Sequence, residues 1–69
     1  MTKIKFLQDH IQNLAEHGWT YENAFRQVTS DESDYVTRLV AVSELEIEKG
    51  RADYNEEYVE YLEEILNAN

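Results

Sequence analysis

The side chains of this chain most able to do chemistry are its carboxylates. Glu44, Glu46 and Glu48 are followed by Glu56, Glu57, Glu60, Glu63 and Glu64, with Tyr54, Tyr58 and Tyr61 interleaved among the second group. Glu56 and Glu60 are four residues apart, as are Glu60 and Glu64. On a helix such pairs face each other, and like charges there cost roughly 0.2–0.5 kcal/mol per pair. Glu63 and Glu64 also fall near the expected C-terminal end of their helix, where negative charge opposes the backbone dipole. Two readings account for this local strain. One is a solvated face that maintains solubility; the other is a surface for a basic partner.

Carboxylates act as general acids or bases when a pocket shifts their proton affinity, and nothing in the pattern builds one. There is no cysteine nucleophile, no Gly-x-Ser-x-Gly elbow and no glycine-rich phosphate loop. His10 and His17 are seven residues apart, which on a helix is about 10.5 Å of rise and too far for one metal ion. Asp53-Tyr54-Asn55-Glu56-Glu57 imitates the opening of a calcium loop, but Tyr58 stands where that loop needs glycine. The expectation is a protein that is not an enzyme and holds no metal or cofactor.

The charge points to a kind of partner. The 69 residues carry 15 acids and 6 bases, a net charge of −9. Residues 1–43 hold six acids and four bases, whereas residues 44–69 hold nine acids and two bases. A basic face to displace counterions is missing, so direct nucleic-acid binding is not expected. Anionic membrane surfaces are disfavoured for the same reason. No apolar run approaches the roughly 20 residues of a membrane span, and residues 1–10 lack an uninterrupted apolar signal region. The lack of cysteine fits the cytoplasm.

A basic protein is the expected partner, met by Glu44, Glu48, Glu56, Glu57, Glu60 and Glu64 together with Tyr54 and Tyr61. Tyrosine brings contact area, a hydroxyl and a π face for lysine or arginine. The bland alternative packs the tyrosines into a small core that needs aromatic area. A sharper form of the partner reading is mimicry of nucleic acid. Duplex DNA carries a charge about every 1.7 Å of axis, and two adjacent acidic helices could offer a comparable field to a basic groove. In size and charge alone, the chain is similar to small acidic proteins encoded by phages and mobile elements, some anti-restriction and anti-CRISPR proteins among them. The alternative function is a self-associating structural or assembly protein whose acids only solvate its outside.

The elements that must position these side chains are helices. There are no prolines and only two glycines, Gly18 and Gly50. Ile4, Leu7, Ile11 and Leu14 recur at helical spacing, which predicts a first helix over about 3–17, stopped by Gly18 in a left-handed conformation. Trp19 is expected to plug the end of the bundle, and Phe6 lies off the apolar stripe. Thr20 caps a short second helix whose stripe is Tyr21, Ala24, Phe25 and Val28. After a turn at 29–32, a third helix runs over about 31–49 and ends at Gly50. Its opening acids, Asp31, Glu32 and Asp34, argue against a DNA-reading helix-turn-helix. Tyr35, Leu39 and Val42 form one stripe on it, and Val36, Val40 and Ile47 another, so it should be the central helix of the bundle. Asp53 and Glu56 form a capping pair for a fourth helix over about 54–67, with 67–69 fraying.

The expected architecture is all-α, a small four-helix bundle with one short helix, forming a single acidic domain over residues 1–69. The expected core is Ile4, Leu7, Ile11, Leu14, Phe25, Val28, Val36, Leu39, Val40, Leu62 and Ile65.

Overall fold

The computed structural model describes residues 2–68 and consists of four α-helices: α1 (Lys3–Glu16), α2 (Tyr21–Thr29), α3 (Asp34–Lys49) and α4 (Glu56–Asn67). It is the expected small all-α bundle, α2 being the short helix. Each helix begins where a side-chain oxygen takes up an otherwise unpartnered backbone donor. Thr2 accepts from the Lys5 N–H at 3.2 Å and Thr20 from Asn23 at 3.1 Å. Ser33 accepts from Val36 at 3.2 Å and Asn55 from Tyr58 at 3.1 Å.

Two of these starts correct the sequence expectation. α3 begins at Asp34 behind Ser33, not at 31, because Glu32 still belongs to the turn and its N–H bonds the Thr29 carbonyl at 3.0 Å. α4 is capped by Asn55, not Asp53. The backbone N–H of Asn55 is held at 3.0 Å by the Glu48 carboxylate, and that anchor places the cap two residues later.

The end of α1 is as expected. Gly18 has φ +101°, a conformation that costs glycine little. The Gly18 N–H reaches the Ala15 carbonyl at 3.1 Å and the Trp19 N–H reaches Leu14 at 3.1 Å, closing the helix with a Schellman pair. At the other terminus Ala68 is the cap of α4, its N–H bonded to the Glu64 carbonyl; Asn69 lies outside the described residues.

α1 packs on α2 and α3 packs on α4; α1 also meets α3, and α2 meets α4. The shared core is Leu7, Ile11, Ala24, Phe25, Val28, Val40, Ala41, Tyr58 and Leu62. Ile4, Leu14, Val36 and Ile65 pack against it while remaining half-buried. Leu39 is the one expected core residue that is not there: 37% of its surface remains in water. Tyr35 and Val42 of the same stripe, and Ile47 of the other, are exposed as well. α3 is therefore not a central helix. Its neighbours α1 and α4 cover one side of it, and the Tyr35–Leu39–Val42 row points away from both. Phe6 is also exposed, and no described helix is long and apolar enough to cross a membrane.

Candidate protein-binding surface

The acids of α4 divide according to the face they occupy. Tyr58 and Leu62 are fully buried, and they turn Glu56, Glu57, Glu60 and Glu64 outward, where all four are exposed. Glu63 is half-buried and pairs with Lys49 of α3 at 3.6 Å. The six bases of the chain are all engaged elsewhere. Lys3 pairs with Glu32 at 2.8 Å, Lys5 with Asp9 at 3.2 Å, Arg38 with Asp34 at 3.3 Å and Arg51 with Glu48 at 3.4 Å. Arg26 lies 5.6 Å from the centroid of the Tyr61 ring and donates to the Asn23 amide oxygen at 2.7 Å. Among the described residues, Glu56, Glu57, Glu60 and Glu64 have no basic counterpart within the chain.

Glu44 and Glu48 do not belong to this surface, which corrects their expected place in it. Both are buried, 8% and 4% exposed. Glu44 accepts hydrogen bonds from the Tyr58 hydroxyl at 2.8 Å and from the Gln8 side-chain amide at 2.9 Å, so one carboxylate joins α4, α3 and α1. Glu48 holds the Asn55 N–H and the Arg51 guanidinium, tying the α3–α4 turn to the end of α3. No buried side-chain oxygen or nitrogen among the described residues lacks a partner. The sequence does carry a signal for this. Residues 40, 44 and 48 are spaced by four and share one face of α3, and Val40 on that face is fully buried.

The tyrosines divide too. Tyr58 is in the core, its ring 5.1 Å from that of Tyr21. Tyr61 is half-buried, set edge-on against Phe25 with centroids 5.8 Å apart and covered on another side by Arg26. Its role is largely packing, which moves it out of the exposed set. Tyr54 is exposed, in the loop before α4.

Trp19 does not plug the bundle; 43% of it remains exposed. It walls a groove of about 440 Å³ together with Gln12, Glu16, Tyr21, Glu22 and Glu57. Three carboxylates and no base line this groove. Glu57 belongs both to it and to the outward face of α4, so the acidic row continues onto an indole face. Sequence reasoning missed Trp19 as a surface residue because its position depends on how the chain leaves Gly18, which local spacing does not specify.

Burial, followed by the carboxylate of Glu44, pushes the proton affinity of Tyr58 far above its ordinary range. The folded state therefore keeps the Tyr58 proton at pH values where the unfolded chain, titrating near 10, releases it. The contribution is complete below pH 10 and is lost as pH rises further, at up to about 1.4 kcal/mol per pH unit. Wild-type protein is expected to lose stability above pH 10 more steeply than Tyr58→Phe, which lacks the group. Urea midpoints measured from pH 8 to 11.5 test this, and parallel curves would remove Tyr58 as the cause.

Comparison with known proteins finds no counterpart: no family model, curated protein or solved structure matches the chain.

Proposed function

We propose that this protein is a small acidic binding module that docks on a basic protein through Glu56, Glu57, Glu60 and Glu64 of α4, with Tyr54 and the Trp19 groove at one end of the row. One observation carries this reading. These four exposed carboxylates have no basic partner in the chain, while all six bases are committed elsewhere. Successive turns of α4 repeat the charge about every 5–6 Å. A lysine or arginine entering the groove would meet the Trp19 ring and the carboxylates of Glu16, Glu22 and Glu57, a combination of cation–π and ionic attraction. The nature of the basic partner follows from the same chemistry. A nucleic-acid-binding protein presents a groove of the matching sign, and the acidic row would then occupy it as a mimic of the phosphate backbone.

The test is retention of a basic protein from the source cell on immobilised wild type and on the Glu57→Lys/Glu60→Lys/Glu64→Lys variant. The variant is expected to stay helical by circular dichroism, because all three positions are exposed. It should lose affinity on the order of a hundredfold, at about 1 kcal/mol per reversed charge. Competition by duplex DNA identifies mimicry; release by salt but not by DNA identifies a basic partner of another kind. Equal retention by both proteins would sink the proposal.

A further inference from the structure

The outward row of α3 is a different surface, and its charge pattern is self-complementary. Tyr35, Leu39 and Val42 are 71%, 37% and 42% exposed and follow one another at spacings of four and three. Glu46 continues that row toward the C-terminal end of the helix. Arg38, on its flank, pairs with Asp34 at 3.3 Å and donates to the Ala68 carbonyl at 2.8 Å, and Lys49 turns to Glu63 of α4 at 3.6 Å. Asp34 with Arg38 and Lys49 with Glu63 neutralise each other, which leaves Glu46 as the uncompensated charge beside the row. On a chain of net charge −9 this helix face is nearly neutral, and a second copy can approach it with the least repulsion.

We propose that α3 pairs antiparallel with α3 of a second copy, in the register that lays Leu39 against the partner's Val42. The spacing selects both direction and register. In a parallel pair Glu46 would meet its own copy, stacking like charges in the seam. In the antiparallel register Leu39 and Val42 cover each other twice about the two-fold axis. The same register sets Tyr35 level with the partner's Glu46, a carboxylate that can accept from its hydroxyl. It also brings Arg38 within about 4.5 Å, along the axis, of the partner's Glu46, at 1.5 Å of rise per residue. Asp34 lies at the same end of the seam as the partner's Lys49, about 3 Å from it along the axis.

The apolar area available is small. Tyr35, Leu39 and Val42 together expose on the order of 300 Å² per copy, against the roughly 500 Å² per copy at which a specific interface becomes stable. The dimer is therefore weak and forms where copies are concentrated. The pairing uses no residue of the acidic row on α4, so it holds or fails independently of the proposed function.

The test is the concentration dependence of α3 amide shifts and of sedimentation from about 20 µM to 2 mM in roughly 0.15 M salt, where charge repulsion is screened beyond ~8 Å. Wild type is expected to associate, and Leu39→Glu to remain a monomer with an unchanged fold. Arg38→Glu places a glutamate beside the partner's Glu46, and Glu46→Lys places a lysine beside the partner's Arg38. Each variant alone should associate at least tenfold more weakly. Mixed in equal amounts they restore both pairs, so the mixture should associate about as well as wild type. Monomeric wild type at 2 mM, association that survives Leu39→Glu, or a mixture no tighter than its components would each overturn the proposal.

Discussion

Glu44→Ala is expected to lower the free energy of unfolding by about 2–3 kcal/mol, whereas Glu60→Ala should change it by no more than about 0.5 kcal/mol. The two residues are chemically identical and both lie in the acidic half of the chain, so the difference is one of location. Glu44 is 8% exposed and accepts from Tyr58 of α4 and Gln8 of α1. Its removal leaves the hydroxyl of a fully buried tyrosine without an acceptor and opens space between three helices. A buried donor stripped of its partner costs more than the original bond contributed, because its lost hydration is no longer compensated. A domain of this length has roughly 3–10 kcal/mol in total, so the loss should appear as a large fall in the thermal midpoint. The double variant Glu44→Ala/Tyr58→Phe should be less destabilised than the sum of its single changes, since the second change removes the orphaned hydroxyl. Additive single and double variants in urea denaturation would show that the Glu44–Tyr58 bond contributes nothing of its own.

Leu62→Ala is expected to cost about 2–5 kcal/mol and to leave a substantial fraction of the chain unfolded at 25 °C. Leu39→Ala should cost about 1 kcal/mol or less. Leu62 is fully buried in α4 and belongs to the cluster shared by all four helices, so truncation removes apolar area and leaves a cavity. Leu39 keeps over a third of its surface in water, and its truncation empties no enclosed space. The pair is read most directly by circular dichroism melting of both variants beside wild type. A Leu39 variant as damaged as the Leu62 variant would place the outer row of α3 in the core after all, and would also remove the surface on which the second copy is proposed to dock.

Most of the architecture was legible in the residues. The Ile4–Leu7–Ile11–Leu14 spacing marks α1, Gly18 marks its end and Thr20 marks the cap of α2, and each stands where expected. These are local features. A helical apolar spacing, a residue tolerant of positive φ and a short side-chain acceptor act within four residues of where they stand. The start of α4 was less legible. Asp53 and Asn55 are both good caps, and the choice between them belongs to Glu48, a residue of the preceding helix.

The candidate surface was legible only in part. Exposure of Glu56, Glu57, Glu60 and Glu64 follows from the inward stripe of Tyr58 and Leu62 on the same helix. The face of α3 could not be read in that way, because two rows of it compete. Tyr35, Leu39 and Val42 form the more apolar row, while the row of Val40 contains Glu44 and Glu48, so hydropathy alone counts both rows as core and does not show which one is left in water.

The sequence by itself determined that this chain is acidic and helical, where α1 ends and α2 begins, and which acids of α4 face water. Those properties rest on composition, periodicity and capping within single segments. The tertiary structure decided which side of α3 is buried. Val40 and Ala41 let that side approach its neighbours closely. The Tyr58 hydroxyl, the Gln8 amide, the Arg51 guanidinium and the Asn55 N–H satisfy the two carboxylates that come with it. A buried charge is tolerated only when partners from other segments meet it, and no single segment contains the information that they will.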